Sequence, residues 1–274
     1  MKILLKLILV IAYIPIFLIF LVAANLRFQL LTPAFWNNTF GSESVYSKLS
    51  VSINKNLESQ TIAEGGKASD VRVLTEIISP ENLKDTIEKN LSNILLYADG
   101  KAKELIIYVP VDKIPKSLLS VNFDKVTEQM KLGDLLKEFN MFGVSPEQIQ
   151  IISHVGTWSW ILLGTTLSIL FLFLYLLYSL TDPGKRLVAN GLALTISGII
   201  ALLATGAGTV IRINWAKDLA GSSLTGDSLI GILVPPVIHG VLGIWLVLAA
   251  ISFVLGFILF FVKKPIYNKE RKKK

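Results

Sequence analysis

Residues 158–180 read Trp-Ser-Trp-Ile-Leu-Leu-Gly-Thr-Thr-Leu-Ser-Ile-Leu-Phe-Leu-Phe-Leu-Tyr-Leu-Leu-Tyr-Ser-Leu, 23 positions without a charge. As an α-helix at 1.5 Å per residue this stretch is about 35 Å long. That is enough to cross the roughly 30 Å hydrocarbon core of a bilayer with some tilt. Three further windows have the same character: residues 3–24, 187–211 and 237–262. None of the four contains an acidic residue, and the one lysine or arginine among them is Lys6. Lys6 lies near enough to an end to snorkel to the head groups. The expected fold is therefore an α-helical membrane protein, a four-transmembrane-helix bundle.

Composition agrees with this reading. Of 274 residues, 52% are hydrophobic and 17% are charged, whereas a soluble domain carries about 25% charged residues. A disordered chain, a fibrous repeat and an ordinary cytosolic enzyme are excluded on these grounds. The chain has no cysteine, so it forms no disulfide, thiolate zinc site or iron–sulfur cluster and has no cysteine nucleophile.

Orientation follows from lysine and arginine. The N-terminal side, the loop 181–186 and the tail after residue 262 together hold 11 basic and two acidic residues. Segment 25–156 holds 14 basic and 16 acidic residues, and 212–236 holds two of each. The net charge of +7 is thus mainly a topology signal and does not point to nucleic acid. Both termini are expected in the cytoplasm and residues 25–156 outside it. Lys2, Lys6, an apolar stretch and Val22-Ala23-Ala24 also follow the order of a secretory signal. The stretch exceeds a typical signal core of about 7–15 residues, which favours an uncleaved signal-anchor. Pro15 is expected to bend this helix.

Segment 25–156 is the size of one compact domain and reads as mainly helical with a minor β component. Thr32-Pro33 starts a short helix, and Val45, Tyr46, Leu49, Ile53 and Leu57 have helical spacing. Residues 58–70, with Gly65-Gly66, read as a mobile connection. Ser79-Pro80-Glu81 supplies a hydroxyl cap, a proline at the first helical position and an acid in the first turn. The helix it starts carries Leu83, Ile87, Leu91, Ile94 and Leu95 on one face and ends at Asp99-Gly100. Leu105 to Val109 is a strand stopped by Pro110, with 71–74 as its expected partner. Two helices are expected over 112–119 and 122–139. A further helix is expected from Pro146 straight into the second span, coupling the outer domain to the bundle. Pro235-Pro236 interrupts an apolar run, so 212–236 is expected to be an outer loop or interfacial segment.

Candidate site residues are few. Ala193, Ser197, Ala201, Thr205 and Thr209 recur every fourth residue, a stripe on which another helix can approach closely. The same stripe is a candidate seam for a homo-oligomer. His154 and His239 fall at the outer ends of spans two and four, with Trp215 nearby, as a candidate interface. No acidic residue lies within helical reach of either histidine, so neither is assigned to a metal. Gly65-Gly66-Lys67-Ala68-Ser69 lacks phosphate-loop spacing. Lys263, Lys264, Lys269, Arg271, Lys272, Lys273 and Lys274 form a basic tail suited to anionic lipid. No catalytic residue and no cofactor is expected, and the expected partners are the bilayer and a protein or ligand outside.

Ser44-Val45-Tyr46 with Leu49, Ser79-Pro80-Glu81-Asn82-Leu83 and Ile94-Leu95-Leu96-Tyr97-Ala98-Asp99-Gly100 resemble segments of uncharacterised bacterial multi-span membrane proteins with an extracytoplasmic domain after the first span. The order of spans is also similar to ABC permeases that convey force to the periplasm, although 181–186 is too short for their coupling helix. It is similar again to the claudin-like four-span group, whose ectodomain cysteine pair is missing here. These readings imply an envelope protein, more a binder than an enzyme, whose outer domain engages a partner or ligand. The alternatives are a permease-like subunit recruiting an ATPase through Lys185, Arg186 and the tail, or a membrane enzyme acting on lipid or cell-wall precursors near His154, His239 and Trp215.

Overall fold

Among the described residues, four helices are long and apolar enough to cross a membrane, within Lys2–Leu30, Gln150–Leu180, Pro183–Asn214 and Gly231–Phe261. The chain is a multi-pass helical membrane protein. The computed structural model describes residues 2–41, 43–63, 75, 78–110, 129–132, 150–221 and 229–262. Its contacts divide the chain into two units: Met1–Gln29, Ser159–Ile213 and Ile238–Lys274 in one, Leu30–Trp158 and Asn214–Val237 in the other.

The first unit is built from α1 (Lys2–Asn25), α5 (Val155–Leu180), α6 (Arg186–Gly221) and α7 (Leu229–Phe261). One cluster draws on all four. Leu9, Tyr13, Phe17 and Leu21, spaced one turn apart on α1, meet Leu170 and Leu177 of α5, Ala193 and Ala201 of α6 and Ala249 of α7. The cluster combines large side chains of α1 with small ones of α6 and α7. The outward faces are apolar as well: Phe171, Leu203, Ile211 and Phe261 are each about two-thirds exposed. Apolar surface on this scale is not left to water by a soluble monomer; hydrocarbon is its solvent. Pro15 lies inside α1, which continues through it.

α6 and α7 approach through glycine. A Cβ on Gly191 would lie 2.7 Å from the carbonyl oxygen of Gly256, and one on Gly198 would lie 2.7 Å from the amide nitrogen of Phe253. Ser252 Oγ donates to the Leu194 carbonyl at 3.0 Å across the same seam. Backbones this close gain dispersion contacts, and the hydroxyl adds a bond typically worth about 0.6 kcal/mol within a membrane.

The second unit contains α2 (Pro33–Phe40), α3 (Glu43–Ala63), α4 (Pro80–Ala98) and strands β1 (Ile106–Tyr108) and β2 (Gln129–Lys131). Ser79 caps α4 as its residue type requires: its hydroxyl accepts from the Asn82 amide at 3.3 Å, Pro80 takes the first helical position, and Gly100 follows the C-cap at φ +71°. Phe40, Val45, Tyr46 and Leu49 form a core with Ile232, flanked by Leu83 and Ile87. A smaller cluster joins Tyr97 and Leu105.

Four expectations need correction. α3 runs on to Ala63, because no glycine or proline interrupts it before Gly65; residues 64–70 lie outside the described residues. Among the described residues β1 pairs with β2, antiparallel, with Ile106 opposite Lys131 and Tyr108 opposite Gln129. This puts part of the expected 122–139 helix in a strand; 71–74, 111–128 and 133–149 lie outside the described residues. The helix expected to enter span two without a break is interrupted at Ser153-His154, whose amides donate to Gln150 and Ile151 carbonyls three residues back. Finally, α6 extends to Gly221 and α7 begins at Leu229, passing through Pro235 and Pro236. The prolines remove two amide donors from the helix. Burial of Ile232 in the second unit's core holds the segment helical.

Candidate functional site

A group of polar side chains stands at the end of α1 in the first unit. Asn25 closes that helix, and Leu26–Leu30 form a π-helical turn. Such a widened turn is uncommon and recurs at functional positions. It presents Asn25 and Gln29 to α7: Asn25 Nδ2 donates to the Val241 carbonyl at 3.3 Å and Gln29 Nε2 to the Gly240 carbonyl at 3.0 Å. A helical carbonyl has a second lone pair for such a bond. Asn25 is only 3% exposed. Its Oδ1 and the Oε1 of Gln29 are buried and have no hydrogen-bond partner among the described residues, and the same holds for Trp245 Nε1, one turn beyond Val241.

Arg27 occupies the other side of the π turn. Its guanidinium carbon lies 4.5 Å from the centre of the Trp160 ring, and Phe28 meets that ring edge-on at 6.1 Å. The stack fixes a permanent positive charge where α1 ends. Asn25, Arg27, Gln29 and Trp160 supply hydrogen bonds, charge and aromatic surface; their chemistry is that of binding and positioning.

Asn25-Leu26-Arg27-Phe28-Gln29 follows the apolar window 3–24, so hydropathy alone does not single it out. Its alternation of polar and apolar residues was the available signal.

The residues singled out from sequence lie as follows. Ala193, Ser197 and Ala201 are fully buried and Thr205 nearly so; Thr205 Oγ1 and Thr209 Oγ1 donate to Ala201 and Thr205 carbonyls. This stripe packs inside the unit, while the closest backbone approach uses Gly191, Gly198 and Gly256 on an adjacent face. His154 is exposed in the turn before α5 and belongs to the second unit; His239 is exposed on α7 in the first. Trp215 lies on α6, but its side chain lies outside what is described. The tail Lys263–Lys274 also lies outside the described residues. Arg186 is engaged locally: its Nε donates to the Thr181 carbonyl at 3.1 Å and its guanidinium lies over Tyr178. Among the described residues no group of three or more histidine, aspartate or glutamate side chains is placed to hold a metal ion.

In the second unit, α4 stitches the free edge of β1. Asn90 Oδ1 accepts from the Tyr108 amide at 2.6 Å while its Nδ2 donates to the Tyr108 carbonyl at 2.9 Å, and Asn93 Nδ2 donates to the Ile106 carbonyl. A side-chain amide here replaces a neighbouring strand, which protects an exposed edge. Tyr46 Oη faces Glu88 at 3.5 Å. Burial, reinforced by the Glu88 carboxylate, pushes the Tyr46 phenol up to about 12.

No protein-family profile, curated protein or solved structure matches this chain.

Proposed function

We propose that this chain is a non-enzymatic envelope protein: its four-helix bundle anchors it in the membrane, and residues 25–156 form an extracytoplasmic domain that binds a partner or ligand. The observation that supports this is the two-sided character of α4. Leu83, Ile87 and Leu95 turn toward apolar clusters or are buried, while Glu81, Lys84 and Lys89 are exposed. A helix divided in this way needs water on one side, so the second unit is read as a water-facing fold. The excess of lysine and arginine on the opposite segments argues for the outer side. The chemistry of Asn25, Arg27 and Gln29 favours binding over turnover.

The chain lacks cysteine, so single cysteines test both parts directly. With Lys84→Cys and Lys185→Cys in the full chain, a membrane-impermeant maleimide applied to intact cells is expected to label the first and spare the second. The reverse pattern would remove the extracytoplasmic assignment. Photo-crosslinking residues at Val51 and Ile62, both about 60% exposed, are expected to give a discrete adduct in native membranes. Failure at both positions counts against the binding role.

A further inference from the structure

α5 begins at a residue that is a poor cap. The Trp158 amide donates to the His154 carbonyl at 2.9 Å, the first rung of the helix. The amides of Val155, Gly156 and Thr157 stand ahead of that rung and have no acceptor in the helical ladder. His154 occupies the capping position, where serine, threonine, aspartate or asparagine would supply a side-chain oxygen. A side-chain oxygen for this turn has to come from another part of the chain.

Asp99, just after the last turn of α4, is in place to provide it. A Cβ on Gly156 would lie 2.7 Å from Asp99 Oδ1, 2.6 Å from Asp99 Cα and 2.9 Å from the Ala98 carbonyl oxygen. The end of α4 thus rests on the first turn of α5, and the approach leaves no room for a side chain at position 156. The other carboxylate oxygen, Oδ2, lies 2.7 Å from Lys101 Nζ, and the Asp99 side chain is 10% exposed. Its position is fixed from α4. The Asp99 amide donates to the Leu95 carbonyl at 2.9 Å, the Lys101 amide donates to the Leu96 carbonyl at 2.9 Å, and Gly100 turns the chain between them at φ +71°. Ile152, just before the break at Ser153-His154, packs against the Tyr97 and Leu105 cluster, a second contact between the same two stretches of chain.

A carboxylate at the C-terminal end of α4 opposes that helix's dipole, whereas at the start of α5 it is favoured. The charge therefore serves the second helix at the expense of its own. We propose that Asp99 is the cap of α5, and that this clasp, rather than an unbroken helix through Ser153-His154, ties α4 to the second span. From its capped turn α5 runs without interruption to Leu180, so a displacement of α4 reaches the start of the span while the clasp is closed and is lost at the 153–154 break when it opens. The inference does not depend on which side of the membrane α4 occupies or on what residues 25–156 bind.

The test is hydrogen exchange of the full chain in mild detergent, read at the amides of residues 155–157. Asp99→Ala removes the acceptor and is expected to speed their exchange by about fivefold. Gly156→Ala forces the two helix ends apart and should have the same effect, whereas Asp99→Asn, which keeps an oxygen acceptor without the charge, should fall between Asp99→Ala and the wild-type chain. The decisive variant adds His154→Asp to Asp99→Ala: a local cap is expected to restore slow exchange at 155–157. Unchanged exchange in both Asp99→Ala and Gly156→Ala overturns the proposal. So does failure of His154→Asp to rescue, which would mean that Asp99 does not act as an acceptor for this turn. Equal acceleration across residues 193–201 of α6 would reduce the effect to a general loss of folding and also overturn it.

Discussion

Alanine at Gly198 or Gly256 tests the packing of the membrane unit most directly. A Cβ on Gly198 would lie 2.7 Å from the Phe253 nitrogen and 2.9 Å from the Ala249 carbonyl oxygen; one on Gly256 would lie 2.5 Å from both the nitrogen and Oγ1 of Thr195. Real Cβ contacts do not fall below 3.0 Å, and most of these atoms are helical backbone, which cannot step aside alone. The helices must therefore separate by several tenths of an ångström. Overpacking of this kind costs about 1–3 kcal/mol. Separation also strains the Ser252–Leu194 bond, worth about 0.6 kcal/mol, so each substitution is expected to cost about 2–3 kcal/mol. The pair should cost less than the sum, because the first alanine already opens the seam that the second would press on. The controls are Gly164→Ala and Gly243→Ala, where an added Cβ meets nothing within 4 Å. There alanine is expected to be neutral or to stabilise by up to about 1 kcal/mol through helix propensity. The assay is reversible unfolding of the full chain from mixed micelles into sodium dodecyl sulfate, followed by circular dichroism. If Gly198→Ala and Gly256→Ala unfold at the same detergent fraction as the controls, the close approach of α6 and α7 is wrong.

Further predictions concern the second unit. Asn90→Ala strips the Tyr108 amide and carbonyl of their partners and is expected to cost about 1–3 kcal/mol; hydrogen exchange at the Tyr108 amide should accelerate accordingly, and unchanged protection would refute the edge role. Ser79→Ala should cost about 1 kcal/mol by loss of the cap on the Asn82 amide, measured as earlier fraying of the first turn of α4 in exchange experiments. Tyr46 is raised from 10.0 to about 12 in the folded chain, so the folded state binds more protons than the unfolded one between these values. Its contribution to stability is thus complete below pH 10 and is lost as pH rises through about 12. Relative to Tyr46→Phe, the wild-type chain is expected to lose stability over that window, and Glu88→Gln should lower the phenol's titration in difference absorbance at 295 nm.

The helix starts were legible because their causes are local. Ser79, Pro80 and Glu81 contain the whole capping signal, and the structure places the helix from Pro80 to Ala98 as that signal requires. The partner of β1 was not legible, since 71–74 and 129–131 are both short stretches compatible with a strand. That 129–131 pairs with Ile106–Tyr108 depends on packing between residues far apart in the chain. That the helix passes through Pro235-Pro236 was not legible for a similar reason. Pro235-Pro236 is a local signal to stop, but the burial of Ile232 among Phe40, Val45, Tyr46 and Leu49 outweighs it. The polar group at Asn25, Arg27 and Gln29 became a candidate site only when Gly240, Val241 and Trp160 were placed beside it.

Sequence by itself determined that this chain crosses a membrane on four helices. The free energy of moving a segment into hydrocarbon is close to a sum over its own residues, so 20-odd apolar positions decide it wherever the rest of the chain lies. Tertiary structure alone decided which glycines join α6 to α7, which amide replaces a strand beside β1, and which end of α5 receives the Arg27 charge. Those outcomes are differences between many contacts of similar energy, made between residues far apart in the chain, and only packing selects among them.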